Sequence, residues 1–374
     1  EFHEVMFGNR IVRAFEEIKR IFDPNNLLNP GKIVNPSKMD DRSLFRYNPE
    51  YKESRISNGL DWSEWGGFDR AVEMCNNNGA CRKFNSDVMC PSYRVTLEEK
   101  HLTRGRANAL RLALSGQLGP DSFTSKEMYE TMQLCVGCKA CRRECPTGVD
   151  MNRMKTEFLY HYNIENGLSL RERMFAYLPR YTQILSKFGK LINLRDDIPG
   201  LSLISEKILG ITSKRKLPKW DAHPFSPEES SKTRSGSEVV LFSDSFNTYF
   251  EPKILRDGPA LLESAGKKVI IPSENNSRKN LCCGRTFLSS GLIDEAKIEA
   301  ERLLENLSPY VDRGIPIVGL EPSCIFTIKD ELPILVPGEK AQKLAKNVRL
   351  LDEYFLQEIK AGRIKLENKN SEKK

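Results

Sequence analysis

The sequence has no apolar run near the roughly 18 residues needed to cross a bilayer, and its mean hydropathy is −0.49. No transmembrane segment is therefore expected. It also lacks a surplus of one charge: 58 Lys and Arg stand against 51 Asp and Glu, and the net +7 is spread along the chain. Nucleic acid is a poor partner for such a balance. There is no phosphate loop, no Gly-x-Gly-x-x-Gly and no Cys-x3-Cys-x2-Cys of the radical type. Histidine is scarce, with His3, His101, His161 and His223 in unrelated settings that read as structural or exposed. The chain opens on Glu1 instead of Met, so it reads as a fragment whose natural start is missing, and the presence of a targeting segment is left open.

Cysteine is what the chain has in quantity. Ten occur in 374 residues, at 75, 81, 90, 135, 138, 141, 145, 282, 283 and 324. Secreted disulfide scaffolds are short chains. This one is long, sets Cys282 beside Cys283 and uses the short, regular gaps of metal ligands. A reducing compartment follows.

The strongest motif is Cys135-Val-Gly-Cys138-Lys-Ala-Cys141-Arg-Arg-Glu-Cys145-Pro146. Three thiolates on a tight loop with two-residue gaps can each reach a different iron of one cube, while the fourth, followed by Pro, serves a second cluster in two-cluster ferredoxins. Zinc usually takes two cysteines from each of two knuckles, which suits this crowded run less well. A thioredoxin-type dithiol fits worse still, because Cys138 would belong equally to two Cys-x-x-Cys pairs. A partner motif is present as Cys75-Asn-Asn-Asn78-Gly-Ala-Cys81, followed after eight residues by Cys90-Pro91. Under the crossing rule one complete 4Fe–4S site is Cys135, Cys138, Cys141 and Cys90. The other has Cys75, Cys81 and Cys145, with Asn78 at the second position. A 3Fe–4S cluster, a 4Fe–4S cluster with a non-cysteine ligand, or no second cluster all remain open there. Cations stabilise such anionic clusters, and Arg104, Arg106, Arg142 and Arg143 are candidates. For any one of them taken singly, a solvated helix face is the better reading.

A third constellation is Leu281-Cys282-Cys283-Gly284-Arg285 with Glu321-Pro322-Ser323-Cys324. In a parallel α/β unit, loops at the carboxyl ends of neighbouring strands converge, so these three cysteines can meet as cluster ligands or as a redox pair. Small core residues are the equally weighted alternative.

Between these motifs the chain shows a change of period. Ile11, Phe15, Ile18 and Phe22 recur at helical steps and predict one buried face, ended by Asp23-Pro24. The segment Leu97 to Leu114 and the run from Ser125 into Cys135 predict helices. Residues 151–211 read as helices broken at Pro179 and Pro199, with Met154, Phe158, Leu159, Phe175, Leu178, Ile184, Phe188 and Ile192 inward. After a Pro- and Ser-rich stretch at 223–237, the runs Val239–Phe242, Val269–Ile271 and Ile315–Leu320 alternate with helices at Pro252–Ala265 and around Ala296–Leu307. That alternation predicts a parallel sheet. A last helix is expected over Lys343–Ile359.

These residues together resemble the carboxyl-terminal part of fused proteins in which a flavin-linked 2-hydroxyacid dehydrogenase is joined to an iron-sulfur segment, of the D-2-hydroxyglutarate and D-lactate dehydrogenase type. Phe22-Asp23-Pro24 through Leu28-Asn29-Pro30-Gly31-Lys32-Ile33 is similar to the end of the flavin oxidase substrate domain. Cys90-Pro91-Ser92-Tyr93, Thr103-Arg104-Gly105-Arg106 and the 135–146 run are similar to its ferredoxin-type segment. Cys282-Cys283-Gly284 and Glu321-Pro322-Ser323-Cys324 resemble the cysteine-rich domain of glycolate oxidase iron-sulfur subunits and heterodisulfide reductases. The resemblance departs at Glu321, where a Cys-x-x-Cys would begin, and around Asp244, where another cysteine is expected. Those departures favour a lone cluster edge, a quinone or acceptor surface, or a vestigial fold.

The resemblance implies an α+β multidomain chain, a helical two-motif ferredoxin-like segment followed by a small parallel α/β cysteine-rich domain. Its parts are 1–36, the end of the substrate domain; 37–70, an ordered connector; 71–150, the iron-sulfur segment; 151–222, helical; 223–237, a linker; 238–362, the cysteine-rich domain; and 363–374, a charged tail. It implies FAD in the intact protein, with Asn29, Gly31 and Lys32 as cofactor-binding candidates beside Arg104 and Arg106. Cys282, Cys283 and Cys324 are the candidate redox thiols. Implied partners are a flavin domain, fused upstream or separate, and an acceptor such as a quinone or electron carrier protein. Self-association is left open, and the implied location is cytoplasmic or peripheral at the inner membrane face. Rival readings are a thiol or disulfide reductase and a stand-alone iron-sulfur adaptor.

Overall fold

The computed structural model describes residues 2–44, 51, 56–85, 87–227, 235–272 and 281–364. The chain divides into two compact units, Glu1–Ser54 and Arg55–Lys374. In the first, helix α1 (His3–Phe22) is kinked at Gly8, whose φ of 75° breaks the helical run. Its end is fixed by Asp23, which accepts hydrogen bonds from the backbone N–H groups of Leu27 and Leu28, each at 2.8 Å, and pairs with Lys19. The sequence predicts a buried face on this helix, but none of its residues is buried. Ile18 and Phe22 are 55% and 80% exposed. An amphipathic stripe is buried only where another layer faces it, and the described residues that follow in this unit form turns.

The second unit begins with a short helix, α2 (Phe68–Glu73), whose Phe68, Ala71 and Val72 are buried. Next come α3 (Pro91–Thr96), α4 (Thr103–Leu114), α5 (Lys126–Gln133), α6 (Ala140–Glu144) and α7 (Met151–Asn166). The single helix expected over Leu97–Leu114 is shorter, because Leu97 adopts a left-handed φ of 58° at the end of α3 and α4 starts only at Thr103. Helix α5 is capped as its sequence suggests, the Ser125 hydroxyl accepting from the Met128 N–H. The connector is pinned from beneath by Glu157 on α7, whose fully buried carboxylate accepts bonds from Gly59 N, Leu60 N and Trp62 Nε1 at 2.6, 2.9 and 2.9 Å. Burial works to raise that carboxyl's pKa, and the bonds from His161, Trp62, Gly59 and Leu60 outweigh it and hold the pKa down. Tyr47 of the connector lies outside the described residues.

Helices α8 (Leu170–Ala176), α9 (Leu178–Leu185), α10 (Gly189–Asp197) and α11 (Leu201–Leu209) follow. Pro179 opens α9 instead of interrupting a helix, since a first-turn Pro has no N–H to satisfy. Of the residues expected inward, Met154, Phe158 and Leu159 are buried, whereas Phe175, Ile184 and Phe188 are exposed.

The α/β part is a four-stranded parallel sheet in the order β2-β1-β3-β4, from β1 (Ser237–Phe242), β2 (Lys267–Ile270), β3 (Ile317–Gly319) and β4 (Val348–Leu350). Val239 to Phe242 are all buried, as a strand covered on both faces requires. The crossovers are α12 (Ser245–Tyr249) and α13 (Pro252–Ser264) between β1 and β2, then α14 (Arg285–Ser289) and α15 (Ile293–Asp312) before β3. Beyond β3 come α16 (Pro322–Phe326), a π-helical turn at Thr327–Glu331, α17 (Leu332–Leu335) and α18 (Glu339–Asn347). The last helix expected from the sequence is two, α18 and α19 (Leu351–Lys360), separated by β4. Strand β3, as short, lies inside the apolar run Ile315–Leu320, whereas β4 reads Val348-Arg349-Leu350 between two helical patterns and has no such run to mark it.

One hydrophobic core runs through both parts, joining Phe68, Met132, Met154 and Phe158 to Phe242, Phe287 and Leu303. The stretch 223–237 therefore does not separate two independent cores. Its residues 228–234 lie outside the described ones, as do 365–374 of the charged tail, while Phe225 is buried and donates its N–H to Thr248 O.

Candidate iron-sulfur site

Cys90, Cys135, Cys138 and Cys141 line one cavity of about 320 Å³, together with Thr103, Arg106, Gly137 and Asn152. Two separated stretches of chain are thus brought to one place. Backbone strain helps to aim the sulfurs. Cys90 has a φ of 53° directly before Pro91 at the start of α3, and Lys139, between two of the loop cysteines, has a φ of 59°. Gly137 is needed in that loop for space as well as for its φ of 65°, because a Cβ there would come within 2.6 Å of Asn152 Oδ1. The Cys90 sulfur accepts from Thr103 N at 3.1 Å.

Glu144 holds the two motifs in register. Its carboxylate accepts from Val88 N and Met89 N at 3.1 and 2.9 Å, tying the segment before Cys90 to the helix that ends at Cys145. Nothing in the sequence singles it out, since an acidic residue beside Arg142 and Arg143 reads as local charge balance.

Of the candidate cations, Arg106 is 1% exposed, and it donates to Thr131 O, His101 O and Ser92 Oγ at 3.0, 2.8 and 3.1 Å. Its charge acts on Cys135, Cys90, Cys141 and Cys138, so it is not on a solvated face. Arg104 pairs with Glu99 at 2.6 Å and acts on Cys81 and Cys75. Arg142 and Arg143 are exposed. Burial pushes the Cys141 thiol up to about 12 and also raises Cys90, with Thr103 and Arg106 opposing. Binding iron at these sulfurs must expel protons, which a buried cation assists.

The donor set fits a cubane, which takes one thiolate at each of four irons around its surface. Among the described residues no three His, Cys, Asp or Glu side chains are arranged to hold a single metal ion. The second triad is less assembled. Cys81 feels Cys90 and Cys75, while Cys145 meets Thr147 Oγ1 at 3.3 Å. Asn78 is exposed, its Oδ1 accepting from Ala80 N at 2.8 Å and its amide donating to Asn76. The structure does not direct Asn78 toward the thiols.

The third constellation does converge. Cys283 and Cys324 have their sulfurs 3.1 Å apart, and Gly284 N donates to Cys282 at 3.3 Å. The three line a cavity of about 210 Å³ with Ser245 and Arg285 at the carboxyl ends of the strands. Cys282 also borders a larger cavity of about 770 Å³ with Arg180, Tyr249, Glu299 and Arg302. The hydrogen bond from Cys283 pulls the Cys324 thiol down, but burial, Asp244 and Glu321 outweigh it and push it up. Asp244 stands at the end of β1, where its carboxylate caps α12 through Asn247 N at 2.8 Å.

The two cysteine centres are joined by a feature that the sequence does not reveal. Lys139 of the cluster loop pairs with Glu331 at 2.7 Å and with Asp330 at 3.1 Å, and Arg285, two residues after Cys283, meets the same Glu331 oxygen at 3.3 Å. The π-helical turn after Cys324 is what aims both carboxylates. In the other unit Asn29, Gly31 and Lys32 are exposed on the turn after α1.

A thiol-lined cavity with a buried cation is thus built from two Cys-Pro motifs. Residues 71–149 match the family described as 4Fe-4S dicluster domain, and residues 1–33 match the C-terminal domain of FAD linked oxidases. Along 95% of its length the chain is 24% identical to D-2-hydroxyglutarate dehydrogenase of Escherichia coli (strain K12), covering 38% of that protein. It is 24% identical over 170 residues to one of the subunits of anaerobic glycerol-3-phosphate dehydrogenase from the same strain, covering 44% of this chain and 42% of that one. Over 85 residues it is 31% identical to a probable glycolate oxidase iron-sulfur subunit of Bacillus subtilis (strain 168), covering 22% of this chain and 18% of that one. The chain spans 38% and 39% of the length of the first two hydroxyglutarate dehydrogenases it matches. No solved structure matches.

Proposed function

We propose that this chain is the electron-transfer portion of an FAD-dependent 2-hydroxyacid dehydrogenase, of the D-2-hydroxyglutarate, D-lactate or glycolate class, passing electrons from flavin to an acceptor. The observation that carries the proposal is the single cavity walled by Cys90, Cys135, Cys138 and Cys141. A 4Fe–4S cluster bound there supplies storage of one electron at a time, which a flavin reduced by two electrons needs. The four thiolates hold it, Arg106 offsets its negative charge, and Glu144 keeps the two ferredoxin-like motifs in register. The ion pairs of Glu331 with Lys139 and Arg285 fix that loop against the three-cysteine turn, and so set the distance an electron would travel between them.

The disulfide-reductase reading is weaker, because both thiols are held well above the usual range: Cys282 by its hydrogen bond with Cys283 and by burial, and Cys283, although its bond with Cys282 pulls it down, by its bond with Cys324 and by burial. Protonated thiols are poor nucleophiles. After anaerobic purification the protein should carry iron and sulfide and show a visible absorbance that dithionite bleaches; a colourless, zinc-rich protein refutes the reading. In the complete dehydrogenase, Cys138→Ser should leave flavin reduction by substrate intact and abolish transfer to the acceptor.

A further inference from the structure

We infer that helices α9, α10 and α11 form a docking surface for an anionic lipid bilayer. The inference stands apart from the relay reading, since it rests on surface chemistry and not on the cysteines. Ile184, Phe188 and Leu191 are 61%, 56% and 67% exposed, and Ile204 and Ile208 are 52% and 70% exposed. Ile184 lies in the last turn of α9, Phe188 ends the 3-10 turn Ser186–Phe188 and Leu191 lies in the first turn of α10, so the three follow one another across that junction, while Ile204 and Ile208 stand one turn apart on α11. Arg195 ties the two legs together, donating from Nε to Ser205 Oγ at 3.0 Å and from Nη2 to the Ile211 and Thr212 carbonyls at 3.2 and 2.7 Å. The hairpin is therefore fixed by its own polar contacts with its apolar residues left outside, where a monomer in water gains nothing from them.

Charge decides what covers them. Between residues 184 and 219 the sequence has eight Lys or Arg and three Asp or Glu, a local net charge of +5, so the charge is less evenly spread than the sequence as a whole suggests. The three carboxylates are already engaged: Asp196 by Arg195 and Leu217 N, Asp197 by Lys219, and Glu206 by Ser213. Lys187, Lys190, Lys207, Lys214, Arg215 and Lys216 are exposed, and none forms an ion pair among the described residues. Exposed isoleucine, leucine and phenylalanine beside basic side chains suit an interface where apolar groups enter the acyl boundary and lysines snorkel to phosphate. No helix among the described residues is long and apolar enough to cross the membrane, so the hairpin lies on the surface.

Co-sedimentation of the whole chain with vesicles tests this. Phosphatidylglycerol mixed into phosphatidylcholine should bind it at least about tenfold more tightly than phosphatidylcholine alone, and added salt should weaken the binding. The double variant Leu191→Glu with Ile208→Glu, and separately Lys214→Glu with Lys216→Glu, should each lose it while retaining circular dichroism and iron content. These positions are exposed, so folding is not at risk. Absence of vesicle binding, equal binding to both lipids, or binding retained by both variants overturns the proposal. So does self-association that the apolar variant abolishes without any vesicle binding, which would assign the surface to a second copy.

Discussion

The two groups of cysteines differ in the charges around them as well as in spacing. Cys90, Cys135, Cys138 and Cys141 surround open volume beside Arg106, a buried cation, and Lys155, which donates to Cys135 O at 2.7 Å. Cys283 and Cys324 instead touch one another, with Asp244 and Glu321 raising the cost of a thiolate at Cys324. Burial raises the thiol pKa in both places; Arg106 offsets it at Cys90, whereas at Cys324 the neighbouring carboxylates add to it. Cysteine density alone thus does not distinguish the two places, whereas a cavity lined by thiols and a buried arginine does.

The largest effect expected from that contrast is all or none. Cys138→Ser should remove the iron and sulfide of the cubane completely, while Cys283→Ser keeps them; iron analysis and electron paramagnetic resonance of the two variants check this, and equal losses would erase the distinction. Next in size are the carboxylate clamps of the two regions. Glu157→Ala leaves three buried donors without their acceptor and should cost about 3 kcal/mol of unfolding free energy, read from denaturant titration.

Its counterpart in the α/β region, Glu358, is held at about 2 by Arg363 and also by Lys267, against burial. A carboxyl depressed in the folded state stabilises above its unfolded value near 4.5 and loses that contribution as pH falls toward 2. Wild type should therefore exceed Glu358→Gln by about 2 kcal/mol at neutral pH, and the gap should close on acidification through that window. Smallest is a potential shift. Arg106→Lys, with its charge less well fixed, should make the cluster harder to reduce in a redox titration followed by electron paramagnetic resonance, and Asp244→Asn should leave that potential unchanged.

Much of this was legible in the chain. Two-residue gaps and Cys-Pro pairs indicated the pairing of Cys90 with the 135–141 loop, and the alternating runs indicated β1, β2 and β3. Less visible was anything depending on which side of a helix finds a neighbour. Ile184 and Phe188 have the period of core residues and lie outside, because periodicity reports amphipathicity and not what covers the apolar side. Glu144 and Glu331 were invisible for another reason: their partners are 55 and 192 residues away in sequence at Met89 and Lys139, and a single acidic residue carries no mark of a distant amide or lysine.

The crossed wiring of the two motifs is tested most directly by iron content and the electron paramagnetic resonance spectrum of Cys90→Ser beside Cys145→Ser. Crossing predicts that Cys90→Ser destroys or converts the 4Fe–4S centre held by Cys135, Cys138 and Cys141, and that Cys145→Ser leaves its signal in place. A centre that survives loss of Cys90 and collapses with loss of Cys145 would contradict it.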